Sequence, residues 1–159
     1  MQASDSSFEI RQIFRHKKRF LDLLLLADEQ ESMIDLYLER GEMFALYDQN
    51  ILKTICVVTD EGGKTIELKN IATDPQYQKQ GYGKRLIRFI SEHYAGKYDT
   101  LLVGTGESPL TIPFYAQNGF KYSHHIKDFF TDNYDHPIYE DGKQLVDMVY
   151  LRKELSKSK

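Results

Sequence analysis

The chain of 159 residues contains no Trp, one Cys and four Pro, and neither sign of charge dominates, with 21 Lys+Arg against 24 Asp+Glu. Each shortage excludes something. A lone Cys56 cannot form an intrachain disulfide, and its place inside the apolar run 51–58 suits a small buried side chain rather than a reactive thiol. A net charge of -3 leaves no cationic excess for neutralising phosphates, so nucleic acid is not an expected partner. The longest strongly apolar stretch, 20–27, is interrupted by Asp22 and falls far short of the roughly 20 residues that span a bilayer, so no membrane association is expected. Residues 1–8 are polar and lack the basic start and apolar centre of a secretory signal, which makes the cytoplasm the expected compartment. There is no Pro/Ser-rich linker and no repeat at a fixed period, so one domain over residues 1–159 is expected.

What is present is enough for a core. Apolar residues make up 41% of the chain, which at this length need neither disulfide nor structural metal to fold, and aromatics are plentiful at 11 Tyr and 9 Phe. Residues 8–12 read as a strand, and 17–27 and 29–40 as two helices, the second with Met33, Leu36 and Tyr37 on one side and Gly41 as its stop. Three strands follow, 42–47, 51–59 and Thr65–Thr73, joined by turns at Asp48-Gln49-Asn50 and Glu61-Gly62-Gly63. Then come a helix over 83–94 with Leu86, Ile87, Ile90 and Tyr94 facing inward, a buried strand at 100–103, and a short helix over 109–117 stopped by Asn118-Gly119. The last strands, 122–130 and 144–153, flank a long polar loop, and the polar ends, 1–7 and 156–159, are expected to fray. This order is α/β without the strict alternation of a doubly wound sheet.

The helix that opens near Gly83 is unusual in its charge. The first turn of a helix favours acids, which complement the positive end of its dipole, yet Lys84, Arg85 and Arg88 stand here and no acid appears before Glu92. Cations at a positive terminus repel unless an anion lies there. With Gly81 and Gly83 letting the backbone approach and turn its N–H groups outward, the arrangement suits a phosphate or pyrophosphate. A Walker A loop would need Gly at 78 and Ser or Thr at 85, where Gln78 and Arg85 stand. A dinucleotide fingerprint would need Gly or Ala in place of Leu86.

Gln78-Lys79-Gln80-Gly81-Tyr82-Gly83 resembles the Gln/Arg-x-x-Gly-x-Gly/Ala loop of the GNAT family of N-acetyltransferases, and Phe114-Tyr115-Ala116-Gln117-Asn118-Gly119-Phe120 resembles that family's second signature, a helix ending in Tyr-x-x-x-Gly-Phe. The resemblance covers residues 42–125 well and the ends more loosely. It implies a mixed, mostly antiparallel central sheet flanked by helices, with a splayed strand pair holding acyl-CoA, and an enzyme that uses acetyl-CoA as co-substrate. By position, backbone N–H groups of Gln78, Lys79, Gln80, Gly81, Tyr82, Gly83 and Lys84 would hold the CoA pyrophosphate, and Ile71, Ala72 and Thr73 would run beside the pantetheine and meet the oxyanion. Ser108 stands where many relatives carry Asn, with a shorter reach toward the pantetheine.

Amine acetylation needs a neutral amine, and a lysine-like amine is only about 1 part in 2,500 neutral at pH 7. Glu67 stands at the position of the general base in some relatives, and Tyr115 at that of the residue beside the departing sulfur, where a phenol donates to or protonates the thiolate. The segment Thr131-Asp-Asn-Tyr-Asp-His-Pro-Ile-Tyr-Glu-Asp-Gly142 carries four acids and no Lys or Arg, which suits a cationic acceptor. A small-molecule amine is therefore expected, against two alternatives, a protein amino group and a silent acyl-CoA-binding sensor. No metal is expected, because His124 and His125 are strand neighbours pointing to opposite faces. Gly104-Thr-Gly-Glu-Ser-Pro109 lacks the second flanking Gly of a hydrolase elbow, and Lys17, Lys18 and Arg19 read as a solvated face. By family analogy Glu29, Glu31 and Tyr37 would line the acceptor cleft, and a homodimer would be compatible with the dimers common among relatives.

Overall fold

The computed structural model describes residues 7–155. The strands are β1 (Phe8–Ile13), β2 (Glu42–Asp48), β3 (Ile51–Gly62), β4 (Thr65–Thr73), β5 (Thr100–Gly106), β6 (Lys121–Ile126), β7 (Tyr139–Glu140), β8 (Lys143–Gln144) and β9 (Met148–Glu154). The helices are α1 (Leu21–Ala27), α2 (Glu31–Ile34), α3 (Tyr82–Tyr94), α4 (Ile112–Gln117) and α5 (Phe129–Asn133). Two compact units hold them, 7–60 with 68–90, and 61–67 with 91–155.

In the first unit β1, β2 and β3 form an antiparallel meander, Phe8 facing Asp48 and Glu42 facing Val58, with β4 next in order. The turn between β2 and β3 places Gln49 (φ 53) and Asn50 (φ 65) in left-handed conformations, the pairing that matches strand twist in a two-residue hairpin. Ile13, Phe20, Leu24, Leu38, Met43, Ile55 and Val57 are among the residues of its core. Cys56 is fully buried, as its apolar context implies.

The N-terminal helices depart from expectation. Residues 17–20 form a 3₁₀ turn leading into α1, and only Glu31–Ile34 of the expected 29–40 helix is α-helical, the rest being successive turns to Gly41. Ile34, Tyr37 and Leu38 are buried, whereas Leu36 is 67% exposed. Lys17 is 5% exposed rather than solvated. Its ammonium donates to the carbonyls of Leu38 (3.0 Å) and Gly41 (2.7 Å) and, more weakly, Glu39 (3.4 Å), so a side chain distant in sequence caps the carbonyls that the end of these turns leaves without a partner of their own. Ser7, expected to fray, is tied down: its carbonyl accepts from the Gln49 N–H and its hydroxyl donates to Asp48. The remaining terminal residues, 1–6 and 156–159, lie outside the described residues.

In the second unit the start of β4 is followed by β5, β9 and β6, with β9 antiparallel to both neighbours. The expected strand 122–130 ends at Ile126, and Phe129 and Phe130 instead open α5. The expected strand 144–153 breaks between Gln144 and Met148. Both breaks have one cause: Phe130, Ile138 and Leu145 bury together in a satellite core, which neither extended strand would permit. Backbone bonds from Phe130 N–H to Val146 and from Leu145 N–H to Ile138, each 2.8 Å, fix that fold-back. The polar segment 131–142 is thus not an open loop, since it contains the end of α5 and the β7 strand of a hairpin turning at Asp141 and Gly142.

Candidate active site

The glycine-bearing turn lies in the first unit, between β4 and α3. Pro75–Tyr77 forms a 3₁₀ turn capped by Asp74, whose carboxylate accepts the Gln76 N–H at 2.9 Å. Gln78 donates its side-chain amide to the Thr73 carbonyl at 3.3 Å and so ties the turn back to the strand end. Lys79 (φ 64) and Gly81 (φ 89) are both left-handed, and alternation of this kind points successive N–H groups outward as an anion-binding nest. A Cβ built at Gly81 would meet nothing within 4 Å, so this glycine is required by conformation and the space before it is open. Gly83 lies within α3 and has no positive φ, so it carries no such requirement.

Gln78, Lys79, Gln80, Gly81 and Lys84 are exposed, and the first turn of α3 carries no acid. The electrostatic and conformational requirements of a pyrophosphate therefore fit the residues present. Tyr82 offers only its backbone. Its phenol donates to Asp48 at 2.8 Å and its ring meets Phe8 edge-on, while the Arg85 guanidinium lies over the same Phe8 ring, 3.9 Å from its centroid. Burial and the neighbouring Asp48 push the Tyr82 phenol's pKa up. Of the three strand residues before the turn, Ala72 is buried and its carbonyl accepts from the Thr54 hydroxyl, and Thr73 donates its hydroxyl to Thr54 at 3.1 Å; Ile71 is partly exposed.

Glu67, Ser108 and Tyr115 lie in the second unit. Glu67 is buried near the start of β4, and its carboxylate accepts the Tyr150 phenol at 3.0 Å. Tyr115 is buried on α4, packed edge-to-face with Phe114 and Phe120, and its hydroxyl has no hydrogen-bond partner among the described residues. Burial raises the pKa of that phenol well above the usual tyrosine range, and the charge of Glu140 adds to the effect. Tyr115 is thus a neutral donor at any physiological pH, and an acid of the 131–142 segment lies close enough to act on it. Ser108 is 3% exposed and its hydroxyl oxygen accepts the Leu110 N–H at 3.0 Å, so it closes the turn entering α4 and keeps its hydrogen for donation to a further partner.

Sequence reasoning missed three participants. Lys53 is buried within the apolar run and holds its ammonium 3.3 Å from the Tyr77 ring centroid and 5.5 Å from that of Tyr82, bracing the turn. A cation inside an apolar run was the available signal. Asn70 donates to the Leu24 carbonyl and to Tyr37, which in turn donates to Asp28, leaving the buried Asn70 Oδ1 without a partner among the described residues. Tyr37 is therefore buried in a strand-to-helix network, and Glu31 pairs with Lys18 at the surface. Tyr150 had no signal at all, being one aromatic in an alternating strand. His124 and His125 separate as the strand geometry implies, His124 stacking on Tyr150 and His125 meeting Tyr122, and no group of three or more His, Cys, Asp or Glu among the described residues could hold a metal.

The model of the acetyltransferase (GNAT) domain matches residues 39–122. An uncharacterized N-acetyltransferase of Bacillus subtilis (strain 168), YvbK, is 39% identical over 137 residues, 84% of this chain and 88% of that protein. A GNAT family acetyltransferase from Elizabethkingia anophelis, solved with acetyl-CoA bound, is 33% identical with a TM-score of 0.86, covering 94% of this chain and 99% of its own. A Bacillus subtilis acetyltransferase solved with CoA is 35% identical with a TM-score of 0.85, covering 93% and 99%. The chain belongs to the GNAT family of acetyl-CoA-dependent N-acetyltransferases. Its mixed α/β fold, with a seven-stranded, mostly antiparallel sheet and flanking helices, is the fold of those structures.

Proposed function

We propose that this chain, as one N-acetyltransferase domain over residues 1–159, transfers acetyl from acetyl-CoA to the primary amine of a small cationic acceptor. Acetyl-CoA supplies an activated thioester carbonyl. The turn from Gln78 to Lys84 offers it outward N–H groups and a cationic helix start, Ile71 to Thr73 offer strand backbone, and Ser108 offers a hydroxyl hydrogen. Glu67 accepts the proton of the incoming ammonium, directly or through water, and Tyr115 donates its hydroxyl hydrogen to the sulfur side. The observation that carries the cationic acceptor is the acidic character around these two groups. Burial raises the pKa of Tyr115 and of Tyr150 most, and the charge of Glu140 adds to it at Tyr115, as those of Glu67 and Glu61 do at Tyr150. A field of that sign attracts a cation and makes an anionic acceptor unfavourable.

Thiol release from acetyl-CoA, followed with a panel of polyamines, aminoglycosides, amino acids and peptides, tests the reading. Turnover with small polycationic amines is expected. Turnover confined to neutral or acidic acceptors, or to peptides, would overturn the acceptor class, and tight CoA binding with no turnover across the panel would favour a sensor.

A further inference from the structure

Gly104 poses a question that neither turn geometry nor the motifs answer. It sits inside β5 without a positive φ, where any side chain could satisfy the backbone. What a side chain would meet is the Met148 sulfur and a ring. A Cβ at Gly104 would come within 3.0 and 3.1 Å of Cζ and Cε1 of Tyr150, and within 2.6 Å of the Met148 sulfur. Tyr150 is the β9 residue directly opposite Gly104, and its phenol crosses that bare backbone to reach Glu67 on β4. On the other side His124 pairs with Tyr150 in the β6–β9 register and stacks on it at 4.8 Å with the planes 6° apart. The ring is therefore confined by its neighbours, and its hydroxyl is aimed at one carboxylate oxygen.

We propose that Tyr150 is a positioning residue for Glu67, fixing the carboxylate by its 3.0 Å hydrogen bond, and that Gly104 is glycine so that the phenol can reach it. The proposal rests on the reading of Glu67 as the proton acceptor and adds the group that orients it. A donor to the ionised form favours that form, so Tyr150 lowers the proton affinity of Glu67 and keeps it available as a base at lower pH. The donor itself does not ionise in the same range, because burial and the charges of Glu67 and Glu61 raise its pKa. Glu61 at the end of β3 and His124 on β6 are among the charged and titratable groups that face this pair.

The test follows the carboxyl carbon resonances of the full-length protein labelled with ¹³C-glutamate as pH is varied. The Glu67 signal is assigned by its loss in Glu67→Gln. Tyr150→Phe keeps the ring and its stack on His124 but removes the donor, and should raise the proton affinity of Glu67 about tenfold, moving its midpoint about one pH unit upward. Gly104→Ala, whose Cβ would crowd the ring as well as the Met148 sulfur, should move the midpoint in the same direction, and combined with Met148→Ala, which leaves the ring as the neighbour that must yield, it decides the matter if Tyr150→Phe fails to fold. Repeating the Tyr150→Phe comparison in a His124→Ala background should leave the rise intact. An unchanged midpoint in Tyr150→Phe, or a rise that disappears with His124, overturns the proposal. The titration needs neither acceptor nor turnover, so its failure is distinct from that of the base assignment, which falls if Glu67→Gln keeps wild-type turnover.

Discussion

Replacing Gly81 by alanine probes the CoA turn through a quantity that can be followed in two places. Gly81 adopts φ +89, beyond the centre of the left-handed region, and an added Cβ would meet nothing within 4 Å. The penalty is therefore purely conformational, about 1–2 kcal/mol for an L side chain in that region. The turn has two responses. If it keeps its shape, the strain appears as lost stability, which for a domain of this size lowers Tm by about 2–8 °C while CoA affinity is kept. If it relaxes, stability is kept but the N–H groups turn away, and CoA affinity falls about 5–30-fold. The two losses should sum to about 1–2 kcal/mol however they divide. Calorimetric unfolding and isothermal titration with CoA measure both terms without any acceptor. Gly83→Ala is the contrast, because it replaces a glycine of ordinary φ within α3 and should stabilise the helix by up to about 1 kcal/mol. If Gly81→Ala changed neither Tm nor CoA affinity, the argument that the turn requires this glycine's conformation would be wrong.

Three further outcomes follow from the same residues. Tyr115→Phe keeps the packing on Phe114 and Phe120 and removes only the donor, so kcat in the thiol-release assay should fall about ten- to a hundredfold, the worth of a hydrogen bond to a developing charge, with the Kd for CoA unchanged; equal turnover would end its assignment as acid. Lys17→Met leaves the carbonyls of Leu38 and Gly41 without their buried donor and should destabilise the protein by about 2–3 kcal/mol, measured by urea unfolding. In alkaline solution, Cys56, Tyr37, Tyr115 and Tyr150 all hold their protons more tightly in the folded protein than in the unfolded chain. Their stabilisation is complete below the unfolded pKa values and is lost as pH rises above about 9–10, where the unfolded chain releases protons first. Stability measured between pH 7 and 11 should therefore hold and then fall steeply, and a flat profile would contradict the burial of these groups.

The CoA-side motif was legible in the chain because its chemistry is local. Residues 78–88 hold the left-handed glycine, the outward N–H groups and the cationic helix start, and the contrast between Lys84, Arg85, Arg88 and the missing acids needs no knowledge of distant residues. Amphipathic α3 was legible for the same reason, its buried residues Leu86, Ile87, Ile90 and Tyr94 recurring at helical spacing. The second helix differs from its local pattern because the buried residues are Ile34, Tyr37 and Leu38 rather than Met33, Leu36 and Tyr37, and the cap of its end comes from Lys17, more than twenty positions away. The β6 and β9 boundaries were misread because Phe130, Ile138 and Leu145 continue a strand pattern locally yet gain more by burying one another.

By itself, then, the sequence determined the family, the anion-binding turn and the two residues proposed to move protons, since each is carried by residue type at short, fixed spacing. Only the tertiary structure decided how those residues are held. It alone showed that Tyr82 is pinned to Asp48, that Lys53 braces the turn from within the core, that Glu140 acts on Tyr115, and that a glycine in β5 opens the path from Tyr150 to Glu67. These are interactions between side chains that lie 24 to 83 positions apart, and the orientation of a buried polar group depends on such partners, which strand pairing brings together and local pattern does not encode.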